Sequence, residues 1–532
     1  MWCVLLIHEF LQKSTEDFST EAALVDRGVT LSYAEFSGMV NTVSAGLKKL
    51  GCNLGDRVAF FGQNSSEYAI VYFACSQMGL VLVPLNAHLM AAEAAWILND
   101  ARPKLIFSDA EYVDRLAEVC EKLVPPERRF VVGQAVQNWQ NFLMLLEDSP
   151  AENSYSPPLS EPHDVFVQMY TSGTTGMPKG VMLSHQNMTS LVTSWLEEMT
   201  LESSRSRFML ATPLFHVGAL VVFLSSIAAG AALVILPKFE PELALQTLLQ
   251  EKISHTLLVP AMVQRLLLTM NNQHYEFPHL KQLVYGASPM PLAVLKRAIN
   301  VFECEFLQGY GLTETSGVAL CLRSIDHHFE SEEFIPQRLS SAGKAVSCCE
   351  VRIIDEEGVS LEVGLIGEIG VKGSNVMLGY YDNPVATSQA FVDGWLRTGD
   401  LGTLDNDGYI TVVDRMKDMI DYSGENVYPV EIENIIMEHA DVAEVAVVGI
   451  SKAVMGEEVT AIIVMRDDNA QDNRDDKTRK DNLAEEISVI CRHKLAKFKC
   501  PTRIEFASEL PRTPAGKLQK HLLRDAYSSR EL

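Results

Sequence analysis

Apolar positions along the chain fall into two alternating rhythms. Phe36, Met39, Val40, Val43 and Leu47 recur at helical spacing behind Ser32 and Glu35, which predicts a helix entered through a capping box and ending at Gly51. The apolar run RVAFF from Arg57 then reads as a strand. A helix follows that starts at Ser65 or Ser66 and stops near Gly79, and a second strand-like run, VLVPL, completes a βαβ unit. The alternation resumes after a glycine-rich stretch: FMLAT, ALVIL, HTLLVP, QLVYGAS and CEFLQGYG are separated by helical segments such as PELALQTLLQEKI and PAMVQRLLLTM. Fully apolar strands spaced by helices predict parallel sheets covered on both faces. Over 343–414 the rhythm shortens to strands with glycine turns (VRIID, GEIGVKG, GYITVVD), a β-rich subdomain, and beyond Lys417 a final α+β segment follows. The expected class is α/β, with a large N-terminal domain of two helix-flanked sheets plus that subdomain, and a small C-terminal α+β domain.

Two further segments are read from pattern alone. The opening MWCVLLIHEFL is apolar, but it lacks a basic leader and a small-residue cleavage site and is too short to span a bilayer, so it reads as a packed amphipathic helix. The charged run DDNAQDNRDDKTRKD, 467–481, reads as a solvated loop.

Composition narrows the partners. The 532 residues suffice for roughly three or four packed units at about 150 residues each. Lys and Arg number 44 against 69 Asp and Glu, and the net charge of −25 argues against DNA or RNA as a general partner. Any nucleotide must be held by local groups. The ten cysteines are scattered with no CxxC pair, and only Cys348 and Cys349 are adjacent, which indicates neither a zinc site nor a disulfide framework and fits a reducing, cytoplasmic setting.

Several motifs carry chemistry. In YTSGTTGMPKGVMLSH, Thr171, Ser172, Thr174 and Thr175 surround Gly173 and Gly176, and Lys179 follows. Glycines let main-chain N–H groups approach an anion, hydroxyls add donors and the lysine adds charge, so the loop is suited to phosphate. It is not Walker A, because Pro178 precedes Lys179 and Gly180 follows it. GYGLTE, 309–314, closes a strand-like run, where α/β sheets place ligands. Gly286, Ala287 and Ser288 in VYGASPMP leave main chain exposed at another strand end, and Asp400 in WLRTGD offers two acceptor oxygens. Taken singly, these last three are more often a helix cap, a common βα turn and a turn aspartate. His216 in PLFHVGAL reads equally as a structural histidine beside apolar residues.

Together and in this order, the motifs resemble those of the adenylate-forming superfamily, which contains acyl-CoA synthetases, luciferases and peptide-synthetase adenylation domains; the resemblance to acyl-CoA ligases covers essentially the whole chain. The resemblance implies that the 171–179 loop grips the β- and γ-phosphates of ATP, that Tyr310 lies near adenine beside Gly286, Ala287 and Ser288, that Thr313 touches the α-phosphate and that Glu314 coordinates Mg²⁺. It gives Asp400 and Arg415 to the ribose and makes Lys417 the pivot of a hinge, 415–418, between an N-terminal domain, 1–414, and a C-terminal lid, 419–532. Ser423 and Gly424 would lie on the loop that reaches the site in a second half-reaction with CoA, although many relatives carry glycine where Ser423 stands. Lys517 in PRTPAGKLQK matches the family's catalytic lysine, a cation set between carboxylate and α-phosphate. His216 falls where related ligases line or gate the acyl pocket with an aromatic residue.

The expected activity is therefore ATP-dependent activation of a carboxylic acid as acyl-AMP and its transfer to CoA. Acetate-specific relatives fill the pocket with tryptophan at the place matching Gly311, amino-acid-activating relatives carry an aspartate near His216, and this chain has neither. With Val217, Leu220 and Val221 as tunnel-lining candidates, a medium- or long-chain fatty acid is favoured, with an aryl acid as the alternative. Two other readings are an acyl-AMP ligase that loads a carrier protein and a non-catalytic nucleotide sensor. Oligomeric state, a homodimer included, and peripheral contact with a membrane stay open at this stage.

Overall fold

A computed structural model describes residues 5–147, 160–172, 177–271, 273–328, 337–422, 425–452, 456–466, 476–512 and 518–528. Two large sheets dominate the N-terminal domain. In the first, strands follow the spatial order Lys344–Ala345, Leu320–Leu322, Glu305–Tyr310, Gln282–Gly286, His255–Leu257, Arg207–Leu210, Ala232–Ile235, Ala22–Asp26, Val29–Ser32. Its centre is parallel and its outer strands are antiparallel. The second sheet is built around the parallel strands Val81–Leu85, Arg57–Phe61, Leu105–Asp109 and Arg129–Val132, with the antiparallel pair Val165–Ser172 and Pro178–Ser184 on one flank.

The βαβ unit read from the sequence is present as strand Arg57–Phe61, helix Ser66–Met78 and strand Val81–Leu85. Ser65 caps the helix by accepting from the Tyr68 N–H at 3.1 Å, and Gly79 ends it at φ 64°, a left-handed conformation that glycine adopts without steric cost. Helix Tyr33–Lys49 carries the expected Ser32–Glu35 capping box. The opening helix runs Ile7–Phe18 and buries Ile7, Phe10 and Leu11.

One continuous apolar cluster fills the space between the sheets. It joins Phe60 and Phe107 from the second sheet to Phe208 and Leu233 from the first through helices Ser66–Met78, His185–Leu196 and Val217–Ala228. Asn64 pins the two sheets across this layer: its amide donates to the Thr212 and Leu236 carbonyls, and its Oδ1 accepts from the Leu214 N–H at 2.7 Å. The turn it holds, 212–216, forms part of the wall of a deep crevice.

The β-rich subdomain comprises Cys349–Ile354, Gly367–Gly373, Trp395–Leu404 and Ile410–Arg415, paired antiparallel. The small C-terminal domain follows, with strands Val442–Lys452 and Gly456–Met465 at its centre and its own apolar core around Ile432, Val447 and Ile463. One sequence reading changes here. Residues 467–475 of the charged run lie outside the described residues, and the rest of it is not a loop, because helix Asp476–Lys494 begins inside it. Leu483, Ile487 and Cys491, spaced by four, bury one face of that helix and draw the charged residues before them into its first turns.

Candidate active site

The strand ends of the first sheet, the flank of the second, the β-rich subdomain and the small domain meet around one crevice of about 1440 Å³. Thr171, Lys179, His216, Gly286, Ala287, Ser288, Tyr310, Gly311, Thr313, Glu314, Asp400, Arg415 and Lys417 all line it. Residues 173–176, Ser423, Gly424 and Lys517 lie outside the described residues, as does the side chain of Ser172.

Each position follows from local structure. Strands Gln282–Gly286 and Glu305–Tyr310 run parallel with Gly286 opposite Gly309, so both chains end at the crevice. A Cβ on Gly286 would stand 2.2 Å from the Gly309 carbonyl oxygen, so only glycine permits this approach. Ala287 then turns through φ +67°, a strained conformation for a residue with a side chain, and leaves backbone facing the cavity. Asp400 is 4% exposed and both of its oxygens are engaged: Tyr310 donates its hydroxyl to Oδ2 at 2.7 Å, and Arg415 Nε stands 3.1 Å from Oδ1. Burial, with the Asp400 charge alongside, drives the Tyr310 phenol far above its ordinary range, so it stays a donor.

A second group lies at strands Val165–Ser172 and Pro178–Ser184. Thr171 pairs with Lys179 across these strands. Tyr380, on the short strand Gly379–Tyr380 beside Pro178–Ser184, donates to Glu314 Oε1 at 2.9 Å, and its ring centroid lies 5.0 Å from Lys179 Nζ. A single aromatic side chain thus spans the carboxylate and the lysine. The Glu314 carbonyl also accepts from the Met377 N–H at 2.9 Å, which fixes this acidic residue from two directions.

The apolar end of the crevice is formed by Trp195, Val217, Val221, Val222 and Val318. His216 is the N-cap of helix Val217–Ala228, its Nδ1 accepting from the Gly218 N–H at 3.2 Å, so it both caps the helix and faces the cavity. Leu220 is a correction to the sequence reading: it is fully buried in the inter-sheet core and does not line the crevice. Helical periodicity explains this, since 217, 218, 221 and 222 share a face that 220 leaves. Gly311 lines the cavity, yet a Cβ there would lie 2.6 Å from the Gly317 carbonyl oxygen and 2.8 Å from Val318 Cα. The first requirement for glycine at 311 is therefore close approach to the 315–318 turn.

Comparison with known proteins decides the family. The AMP-binding enzyme family model matches residues 11–381, and the AMP-binding enzyme C-terminal domain model matches 431–517. The chain is an AMP-binding enzyme. It is 33% identical over 509 residues to the long-chain-fatty-acid–CoA ligase FadD13 of Mycobacterium tuberculosis, with 94% of each chain covered. It is also 33% identical over 519 residues to the fatty acid–[acyl-carrier-protein] ligase ScoC of Streptomyces coeruleorubidus, covering 96% of this chain and 94% of that one. Among solved structures, a Mycobacterium tuberculosis fatty acyl CoA synthetase aligns over 99% of both chains at TM-score 0.75 and 30% identity. ATP-bound MatB from Rhodopseudomonas palustris aligns at TM-score 0.86 and 28% identity over 99% of this chain and 100% of that one.

Among the described residues of this AMP-binding enzyme no cluster of three His, Cys, Asp or Glu forms a protein-only metal cage. Glu314, bound through Tyr380 to the same side of the cavity as Lys179, is a carboxylate that suits Mg²⁺, which takes one or two carboxylates and fills its shell with phosphate oxygens and water. No helix among the described residues is long and apolar enough to cross a membrane. The sequence reading passed over Tyr380, Trp195, Asp414, Glu433 and Lys520, all of which line the crevice. Tyr380 sits in a GYY run with no chemical signature of its own, and the other four acquire their place only from packing between distant segments.

Proposed function

We propose that this AMP-binding enzyme is an acid–thiol ligase that activates a medium- or long-chain fatty acid as acyl-AMP and transfers the acyl group to CoA. The observation that carries the proposal is that one crevice brings three environments together. Thr171, Lys179 and Glu314 line it with polar groups, Tyr310, Asp400 and Arg415 with a buried, hydrogen-bonded ion pair, and Val217, Val221, Val222 and Trp195 with an apolar wall. A triphosphate, a nucleoside and an acyl chain meeting at one α-phosphorus need those three environments.

In the first half-reaction a substrate carboxylate oxygen attacks the α-phosphorus of ATP; the acyl O–P bond forms as the bond to pyrophosphate breaks. Lys179 and the hydroxyls of its loop offset charge on the departing phosphates, and Thr313 donates to the α-phosphate. Glu314 would hold Mg²⁺, which when bound supplies positive charge to the phosphate oxygens. Asp400, held by Tyr310 and Arg415, receives the ribose hydroxyls. Lys517 provides a cation between carboxylate and α-phosphate. The residues that flank its loop support this placement: Arg512 and Leu518 bridge as antiparallel neighbours, and Leu518, Gln519 and Lys520 line the crevice.

In the second half-reaction the small domain turns about Lys417, withdraws the Lys517 loop and brings in the loop at Ser423 and Gly424. The CoA sulfur then attacks the acyl carbonyl, the C–O bond to AMP breaks and AMP leaves. Purified enzyme is tested on a panel of carboxylic acids with ATP, offering CoA or a carrier protein as acceptor. Pyrophosphate release that depends on medium- or long-chain acids, with a CoA thioester as product, is the expected result. Preference for aryl acids or for the carrier protein would replace the substrate or acceptor, and release of phosphate without any acid would refute the ligase reading.

A further inference from the structure

Three carboxylates and one ammonium, Asp414, Asp418, Glu433 and Lys520, line the crevice where the small domain abuts the large one, and none of them was assigned a contact with nucleotide. Asp414, 4% exposed, ends the β-rich subdomain's last strand, Ile410–Arg415. Its Oδ1 accepts from the Arg415 N–H at 2.7 Å, and its Oδ2 accepts across the domain boundary from the Val430 N–H at 3.1 Å, in the first turn of helix Pro429–Ile436. That helix also supplies Glu433, whose Oε1 accepts from the Val447 N–H at 2.7 Å and pairs with Lys520 Nζ at 2.8 Å. The Lys520 side chain is 11% exposed and stands in the combined field of Glu433, Asp414 and Asp418, which keeps it protonated despite burial. Asp418 pairs in turn with Arg524 at 2.6 Å.

The placement along the chain is what gives this cluster a function. Lys520 lies three residues beyond Lys517 in sequence, and Asp414 lies three residues before Lys417, on the opposite side of the expected hinge. Rotation about Lys417 separates Asp414 from both Val430 and Lys520, whereas Glu433 and Lys520 travel together.

We propose that Lys520 and Asp414 form the latch that holds the small domain in the adenylation arrangement, so that Lys520 is a positioning residue for acyl-AMP formation and not for thioester formation. The inference rests on the two-step reading above. Without the ammonium, Asp414, Glu433 and Asp418 repel one another across the boundary, and the closed arrangement loses population. Without the Asp414 charge, the lysine keeps Glu433 but loses its tie to the large domain.

The test separates the half-reactions in full-length enzyme. Acid-dependent exchange of pyrophosphate into ATP reports adenylation, and CoA thioester formation from supplied acyl-AMP reports the second step. Lys520→Met is expected to lower exchange about 10-fold or more while thioester formation stays within about 3-fold, and Lys520→Arg to recover most of the exchange. Asp414→Asn, which retains an acceptor for Val430, should show the same split to a smaller degree and serves where Lys520→Met does not fold. Protease cleavage at the hinge should accelerate in both variants while the ATP KM changes little. Equal loss of both half-reactions in a folded variant, or unchanged exchange, would overturn the latch. Absence of acid-dependent exchange in the wild-type enzyme would instead refute the ligase reading itself.

Discussion

Replacing Tyr310 by Phe removes one oxygen atom from the crevice wall and leaves the ring in place. That oxygen donates at 2.7 Å to Asp400, whose other oxygen faces Arg415 at 3.1 Å, and Asp400 is 4% exposed. A hydrogen bond to a buried charge contributes ~1.5–3 kcal/mol, and its loss leaves a carboxylate oxygen short of a partner in a poorly solvated place. If Asp400 receives the ribose, the part of that loss that the bound nucleotide feels, up to a roughly 10- to 150-fold weaker interaction at ~1.4 kcal/mol per tenfold, falls on ATP, because the carboxylate is no longer held in place to accept. The ring still packs on whatever lies beside it, so the fatty acid should be held as before. Pyrophosphate exchange with ATP titrated at saturating acid is the assay, repeated with acid titrated at saturating ATP. The expected result is an ATP KM raised about 10-fold or more and an acid KM within about 3-fold of wild type. An unchanged ATP KM, or a rise confined to the acid, would place Tyr310 and Asp400 outside the nucleotide subsite.

Three more outcomes follow from particular contacts. Gly286→Ala puts a methyl 2.2 Å from the Gly309 carbonyl oxygen, so a pair of core strands must part; thermal unfolding should fall by several degrees with loss of ATP binding, and a variant that melts and binds like wild type would contradict the packing. Val221→Trp fills the apolar wall and should shift selectivity towards shorter acids by about 10-fold or more, read as the ratio of kcat/KM values, while unchanged selectivity would remove Val221 from the acyl subsite. Buried His185, His255 and His327 are held neutral by desolvation, pushed down to about 3, 4 and 4 from 6.5. Their contribution is complete above pH 6.5 and is lost as pH falls towards 4, because the unfolded chain takes up protons that the folded one refuses. Asp109 and Asp414, pushed up to about 6 by burial, act in the opposite sense between pH 6 and 3.8. Urea unfolding at pH 7 and 4.5 should show a net loss at the lower pH that shrinks in His185→Gln; an unchanged difference would contradict the assignment.

Much of the framework was legible in the chain. Strand Arg57–Phe61 coincides with the apolar run read as a strand, and helix Ser66–Met78 ends at the glycine that offered its stop. Both signals are local: a hydrophobic run with a fixed length, and a residue suited to positive φ. Part of the candidate site was legible for a related reason, since close backbone approach demands glycine at 286 whatever surrounds it, and Thr171 and Lys179, singled out for their chemistry, do line the crevice. What escaped is set by packing between distant segments. Tyr380 reaches Glu314 from 66 residues away, and Lys520 shares the crevice with Asp414 only because two domains abut. Leu220 was misplaced because apolar character alone cannot say which face of an almost wholly buried helix looks into a cavity. The helix start inside the charged run was hidden because its buried stripe begins only at Leu483.

The central claim, that the organic acid is joined to AMP through its own oxygen before it meets the thiol, has one direct measurement. A fatty acid labelled with oxygen-18 in both carboxylate positions is turned over with ATP and CoA, and the released AMP is weighed by mass spectrometry. One labelled oxygen in AMP, and none in pyrophosphate, is the expected result. Unlabelled AMP, or label appearing in inorganic phosphate, would contradict it.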